Sequence, residues 1–253
     1  MTGASGGIGL VTASRFLDLG AKVTLQYTTQ PRALDDLLAR YPHSAHAVRA
    51  DCTIESDVAS SMAAAVARFG TVQTLIVNHG IWPTDDVAVK DMSLAQWNHT
   101  IAVNLTGTFL YVREFLRQVE SARASDNISV VMIGSTAGKF GEALHADYAV
   151  TKSAMMQGML LSLKNEIVKV APRGRVNCVA PGWVRTPMAE RAMQDAALLG
   201  QALATSPLKK VSTPLDIANA IVFLASEKLA GNITGHVIDV NAGMEGRIQH
   251  ARL

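Results

Sequence analysis

Residues 1–16, MTGASGGIGLVTASRF, open the chain on a glycine-rich loop that runs straight into a helical stripe. Thr2, Gly3, Gly7 and Gly9 spell TGxxxGxG. Glycines in such a loop let the backbone approach a pyrophosphate, and the N-terminus of the helix starting near Ile8 supplies free N–H groups and a favourable dipole. A loop of this kind hangs from the end of a buried β-strand, yet only Met1 stands ahead of it in these 253 residues. The competing reading is a flexible glycine-rich terminus, and the pattern downstream has to separate the two.

Working outward, apolar positions follow a helical stripe over 8–19 that stops at Gly20, and KVTLQY at 22–27 reads as a strand. A second helix follows Pro31, a strand ends near Asp51 in AHAVRAD, and a third helix covers 55–69. Further strands are expected at 74–78 (TLIVN), 128–133 (ISVVMI), 175–179 (RVNCV) and 236–240 (HVIDV), with helices over about 97–120, 147–170 and 214–225. This alternation predicts an α/β fold: a single domain over 1–253, a three-layer, doubly wound parallel sheet with ligands at the carboxyl ends of the strands. The stretch 187–213, PMAERAMQDAALLGQALATSPLKKVST, interrupts the rhythm and is a candidate substrate lid.

Composition fits a well-buried globular enzyme: 49% hydrophobic and 17% charged residues. Lys+Arg 23 against Asp+Glu 21 leaves a formal charge of +2 without a long basic run, so nucleic acid is not an expected partner. No apolar run reaches the length of a membrane span. Cys52 and Cys178 lack any metal-ligand or redox spacing and read as free thiols in a reducing compartment, with the cytoplasm as the expected location and no metal site.

The chemistry-bearing stretch is IGSTAGKFGEALHADYAVTKSA at 133–154. Ser135 falls at a strand end, Tyr148 follows thirteen residues later, and Lys152 lies one helical turn beyond, on the same helix face as Tyr148. An ammonium beside a phenol favours the phenolate and lowers the tyrosine pKa from about 10 toward a range useful for proton transfer. Ser135 is placed to hydrogen-bond a substrate oxygen. On spacing alone, an ordinary Tyr/Lys pair on a surface helix is the commoner arrangement.

Taken together, the glycine loop at 2–9, Asp51, NHG at 78–80, Asn104 in VNLTG, Ser135, the YxxxK of Tyr148 and Lys152, and PGWVRTPM at 181–188 resemble the short-chain dehydrogenase/reductase family. Within it the sequence is similar to the single-domain carbonyl reductases that include 3-oxoacyl-acyl-carrier-protein reductases. The resemblance covers nearly the whole chain and implies a Rossmann-type fold and an NAD(P)-dependent oxidoreductase acting on a carbonyl or a secondary alcohol. It implies a catalytic set in which Tyr148 is the general acid or base, Lys152 lowers its pKa and holds the nicotinamide ribose, Ser135 orients the carbonyl and Asn104 anchors a water. By the same resemblance Gly3, Ser5, Ile8 and Gly9 line the pyrophosphate, Asp51 and Cys52 face the adenine, and Asn78 and Gly80 support the adenosine ribose. Pro181, Gly182, Val184 and Thr186 close over the nicotinamide. A homotetramer assembled through the helices at 97–120 and 147–170 and the last strand is implied as well. Apart from the resemblance, Asp51 reads as a turn residue and Asn104 as a buried structural amide.

Cofactor choice turns on the end of the 22–27 strand. NAD-preferring nucleotide folds place an acid there for the ribose 2′-OH; here LQYTTQPR carries none before Asp35. Thr28, Thr29 and Arg32 are available to a 2′-phosphate, so NADP(H) is favoured, with NAD(H) possible because the glycine loop has Ser5 and Gly6 where many NADP-using relatives carry Arg or Lys. His79 replaces the family's usual Ala and is expected as a packing variant with a satisfied ring; Trp82 and Trp183 are expected to flank the cleft. Arg173, Arg175, Arg185, Lys209 and Lys210 are candidates for an acyl-carrier-protein thioester, or ordinary surface charges. The family's first strand has no counterpart ahead of the loop. An upstream segment is the expected explanation; for a polypeptide starting at Met1, reduced stability and weak cofactor binding are expected, because a central strand leaves unpaired backbone on both neighbours. A non-catalytic nucleotide-binding or scaffold protein is the rival reading.

Overall fold

The computed structural model describes residues 1–194 and 196–246. Among them, six parallel strands carry the fold: β1 (Val23–Tyr27), β2 (Ala45–Arg49), β3 (Thr74–Val77), β4 (Ser129–Ile133), β5 (Arg175–Pro181) and β6 (Val237–Val240). β1 pairs with β2, and β3-β4-β5-β6 form a second ladder in that order. Every residue of β4 and β5 is buried, as expected for apolar runs covered on both faces.

The helices are α1 (Gly7–Asp18), α2 (Asp35–Arg40), α3 (Glu55–Phe69), α4 (Leu94–Ile101), α5 (Gly107–Ala122), α6 (Thr136–Phe140), α7 (Ala146–Ala154), α8 (Leu160–Val170), α9 (Glu190–Gln194), α10 (Ala196–Ala204), α11 (Pro214–Ala225) and α12 (Glu227–Ala230). α3, α5 and α8 cover one face of the larger sheet around Phe115, Leu160 and Ile167. α11 covers the other with Ile217, Ile221 and Leu224, and packs on α1. The helices expected over 97–120 and 147–170 each carry a wide π turn, at Ala102–Thr106 and Met155–Met159, where one extra residue per turn bends the helix beside the site.

β1 and β3 do not pair with each other. Met1 to Ala4 thread between their carboxyl ends: the Met1 amine donates to the Thr24 carbonyl (2.8 Å), the Met1 carbonyl accepts from Gln26 N (2.9 Å), and Thr2 N donates to the Ile76 carbonyl (2.9 Å). Met1 and Thr2 thereby bridge the carboxyl ends of β1 and β3.

Candidate active site

The glycine loop leaves this stub and is tied down on both flanks. Gly3 N donates to Gln26 Oε1 (2.8 Å), and Gln26 Nε2 donates to the Ala50 carbonyl (2.7 Å), coupling the loop to the end of β2. Asn78 Nδ2 donates to the Gly3 carbonyl (2.9 Å), and Thr2 Oγ1 accepts from Asn78 N (3.0 Å) and His79 N (3.2 Å). Gly3 has a φ of +59°, and a Cβ there would lie 2.8 Å from His79 Cα. A Cβ on Gly9 would collide with the Gly3 carbonyl. α1 begins at Gly7 without a side-chain cap, so its first-turn N–H groups, next to Ser5 and Ile8, are open to an anion.

On the other side of the cleft, Ser135 ends β4 and caps α6, its Oγ accepting from Ala137 N (3.1 Å). Asp147 fixes the start of α7: its carboxylate accepts from Tyr148 N (2.9 Å), Thr100 Oγ1 (2.7 Å) and Gln96 Nε2 (3.2 Å), binding α7 to α4. Tyr148 and Lys152 then face inward together, with Lys152 Nζ 5.7 Å from the phenol ring centre and donating to the Ile133 carbonyl (2.7 Å). Burial pushes the Tyr148 phenol up to about 12, opposed by its hydrogen bond with Ser135 and reinforced by the charge of Glu142. Burial also pulls the Lys152 ammonium down to about 8. The expected lowering of the tyrosine pKa by Lys152 is thus not met in this geometry, because desolvation dominates both groups.

Asn104 sits in the first π turn, fully buried. Its Oδ1 accepts from Ile81 N (2.8 Å), and its Nδ2 donates to the Ile81 carbonyl (2.9 Å) and Thr151 Oγ1 (3.2 Å). Both amide donors are spent on bracing the loop after β3 against α7. A Cβ on Gly80 would lie 3.3 Å from Asn104 Oδ1 and 3.5 Å from Lys152 Nζ, so the Gly80 backbone packs directly against both side chains. At the far wall, Pro181 ends β5, Gly182 N donates to the Val240 carbonyl (3.2 Å), Val184 bridges to Ser212, and Thr186 lies over Gly7, where a Cβ would come within 2.8 Å of its Cγ2. The 187–213 excursion, built from α9 and α10, is closed at its base by Ser212 N to the Trp183 carbonyl and Arg185 N to the Ser212 carbonyl, both 2.9 Å.

Several expected contacts take another form. Asp51 is engaged locally: its Oδ1 accepts from Thr53 N and Oγ1, which holds the carboxyl below its usual range. The Cys52 thiol is buried, pushed up to about 12 by desolvation, and points toward the Val103 carbonyl. Thr28 donates to the Ala50 carbonyl (3.1 Å), Thr29 is exposed, and Arg32 is exposed in a 3₁₀ turn at Pro31–Leu34. His79 is only half satisfied: its Nδ1 meets Thr2 Oγ1 at 2.8 Å, while its buried Nε2 has no partner. Arg175 is a structural residue at the opposite end of β5, donating to the carbonyls of Leu224 (2.6 Å), Ala225 (2.9 Å) and Ala230 (3.1 Å). Arg173 pairs there with Asp126 and Glu227, so neither arginine reaches the cleft.

Around Trp82, expected at the cleft, the structure adds Asp86, Glu142 and His145, which spacing did not single out. Trp82 stacks on His145 with ring centres 4.5 Å apart and donates to Glu142 Oε1 (3.2 Å), while His145 Nε2 lies 3.1 Å from Asp86. Glu142, raised by burial, is therefore a second titratable group beside Tyr148. Its presence in GEALHADY was legible, but not its contact with Trp82, sixty residues earlier. Among the described residues no cluster of His, Cys, Asp and Glu is arranged to hold a metal ion, and no helix is long and apolar enough to cross a membrane.

Known proteins resemble this chain over nearly its whole length. The sequence model of a family described as Enoyl-(Acyl carrier protein) reductase matches residues 3–245. The chain is 33% identical to 3-oxoacyl-[acyl-carrier-protein] reductase FabG of Aquifex aeolicus, covering 96% of this chain and 95% of the relative. It is 32% identical to cis-4-hydroxycyclohexanecarboxylate dehydrogenase of Sinomonas cyclohexanicum, covering 96% and 94%. A crystal structure of short-chain dehydrogenase/reductase SDR:Glucose/ribitol dehydrogenase from Brucella melitensis superposes with a TM-score of 0.85 at 33% identity, covering 96% and 94% of the two chains.

Proposed function

Since the chain belongs to the short-chain dehydrogenase/reductase family and is an oxidoreductase with a nicotinamide cofactor, we propose that it transfers hydride between NADP(H) and a carbonyl or secondary alcohol, with Tyr148 as general acid and base. The observation that carries this reading is the convergence of Ser135, Tyr148 and Lys152 at the carboxyl end of the larger sheet, facing a glycine loop whose helix N-terminus is uncapped. That cradle fits a dinucleotide: the loop's N–H groups suit the pyrophosphate, and the Lys152 ammonium beside Gly80 suits a ribose diol.

When bound, the cofactor supplies or receives the hydride. Ser135, whose Oγ already accepts from Ala137 N, donates its O–H to the substrate oxygen and holds the carbonyl in place. Tyr148 gives that oxygen its proton in the reductive direction. A phenol raised to about 12 is protonated at neutral pH, which suits reduction, and alcohol oxidation requires the phenolate and gains at alkaline pH. Asn104 braces the loop after β3 against α7, keeping Tyr148 and Lys152 in register with the cofactor site.

NADP(H) is favoured because no acid ends β1 and Arg32 is exposed beside it. Substrates are 3-oxoacyl thioesters or small ketones of apolar or amphipathic character, closed over by the 187–213 excursion. Exposed Phe109, Val150, Leu161 and Val168 on α5, α7 and α8 support assembly through these helices into a homotetramer, and the two buried free cysteines support a cytoplasmic location. The direct test is a fluorescence titration of the 253-residue chain with NADPH and NADH, followed by a carbonyl screen. Saturable binding tighter for NADPH, with turnover lost in Tyr148→Phe, is the expected result; turnover surviving that change overturns the mechanism.

A further inference from the structure

The connection between α6 and α7, Gly141 to His145, joins the helix capped by Ser135 to the helix that carries Tyr148. It presents two side chains that the proposed reaction leaves unused, Glu142 and His145. The loop after β3 meets them with Trp82 and Asp86. Backbone bonds hold the two segments together: His145 N donates to the Glu142 carbonyl (3.2 Å), and Val87 N donates to the Leu144 carbonyl (3.1 Å). Trp82 Nε1 donates to Glu142 Oε1 (3.2 Å), the indole and imidazole ring centres are 4.5 Å apart, and His145 Nε2 is 3.1 Å from Asp86 Oδ1.

Donors and acceptors on this wall are unequally engaged. The Trp82 N–H is taken by Glu142, and the Asn104 amide donates to Ile81 and Thr151. Ser135 and Tyr148 are left for the reacting oxygen. The second oxygen of Glu142 is different. Oε2 accepts no hydrogen bond among the described residues, and in contrast to the enclosed, unpartnered Nδ1 of His145 it keeps access to solvent. The carboxyl is close enough for its charge to act on the Tyr148 phenol, which puts it beside the carbon skeleton of a substrate whose oxygen sits between Ser135 and Tyr148. A carboxylate accepts and does not donate. Glu142 is half-buried, so a substrate hydroxyl at this point gains a charge-assisted bond, whereas a methyl group displaces water from the oxygen and gives nothing back.

We propose that Glu142, held by Trp82, is a specificity-determining residue that selects ketones bearing a hydroxyl on the carbon next to the carbonyl, whose reduced products are vicinal diols. The inference rests on the hydride-transfer reading above. The carbonyl carbon takes the hydride, its oxygen takes the Tyr148 proton, and the neighbouring hydroxyl leaves unchanged.

The test compares hexyl hydroxymethyl ketone with hexyl ethyl ketone, in which a methyl replaces the hydroxyl, and with hexyl methoxymethyl ketone, which has an acceptor oxygen and no donor. With NADPH, kcat/KM for the hydroxymethyl ketone is expected to exceed that for the ethyl ketone by about ten- to a hundredfold. Glu142→Gln is the decisive variant. Its amide oxygen still accepts from Trp82, while its NH₂ stands at the place of Oε2, a donor where an acceptor was. Tm is expected to stay near that of the unaltered chain, the hydroxymethyl-to-ethyl ratio to fall about tenfold, and the methoxymethyl-to-ethyl ratio to rise. Loss of the Glu142 charge also acts on Tyr148, but it moves all three ketones alike and leaves the ratios to report selection. Equal kcat/KM for the three ketones in the unaltered chain, or ratios unmoved by Glu142→Gln, overturns the proposal and leaves the reaction standing. If no ketone is reduced, the hydride-transfer reading fails, and calorimetric titration of the chain with NADPH present decides the selection. Tighter binding of the hydroxymethyl ketone, lost in Glu142→Gln, supports it; equal binding of the three, or none, overturns it.

Discussion

β4 and β5 have strands on both sides and helices on both faces, whereas β1 pairs with β2 and is tied to β3 through Met1 and Thr2. Ser135 hangs from the end of β4, and Lys152 is anchored to the last carbonyl of that same strand. The glycine loop instead follows that tie, held to the larger sheet by the Thr2 hydroxyl and by Asn78. The difference teaches that the Ser135–Tyr148–Lys152 cluster and the glycine loop rest on separate supports. One is a closed, fully paired core; the other is a handful of hydrogen bonds from Met1, Thr2 and Asn78.

That contrast is sharpest at Tyr148, where the supports should remain intact while chemistry fails. Tyr148→Phe is expected to lower kcat by about 10²–10⁴ while Tm and NADPH affinity stay near those of the unaltered chain, as read by steady-state kinetics and calorimetry. Asn104→Ala attacks the closed side. It strands the Ile81 N–H and carbonyl and the Thr151 hydroxyl interaction, a cost of about 3 kcal/mol and a fall in Tm of about 6–12 °C, with activity lost in proportion to the loosened loop.

Thr2→Val attacks the support of the glycine loop. Removing the acceptor for Asn78 N and His79 N is expected to cost about 1–3 kcal/mol and to weaken NADPH binding about tenfold, with kcat at saturation preserved. An equal loss of kcat would show that the two supports are not separable. The same support also carries a pH signature through His79, which burial pulls down to about 4 while the unfolded ring titrates near 6.5. The unfolded chain takes up this proton first, so stability contributed by the neutral ring is complete above about 6.5 and is lost as pH falls toward 4. Thermal melts across that window should show the slope, and His79→Gln should flatten it. The smallest effect is expected at Arg32, exposed at the rim: Arg32→Ala should raise the NADPH Kd about three- to tenfold and leave NADH unchanged.

Much of this is legible in the sequence. TLIVN and ISVVMI announce buried parallel strands because a strand covered on both faces has no polar side to display. Tyr148 and Lys152 share a helix face because four residues make about one turn. What spacing did not reach was the state of those groups. Desolvation rather than the Tyr–Lys pair sets the pKa of Tyr148, and desolvation depends on everything packed around it. Arg175 reads as a candidate cleft cation, but it stands at the first position of β5, a strand's length from the carboxyl end, where its guanidinium meets carbonyls from the end of α11 and from α12.

Sequence by itself determined the order of strands and helices, the glycine loop and the Ser–Tyr–Lys set, because periodicity and local spacing act over a few residues. Only the tertiary structure decided how the loop is fastened, that Asn104 is consumed as a brace, and that Glu142 joins Trp82 and His145 beside the tyrosine. Those outcomes depend on contacts between segments distant in sequence and on the burial they create, and neither has a local period to read.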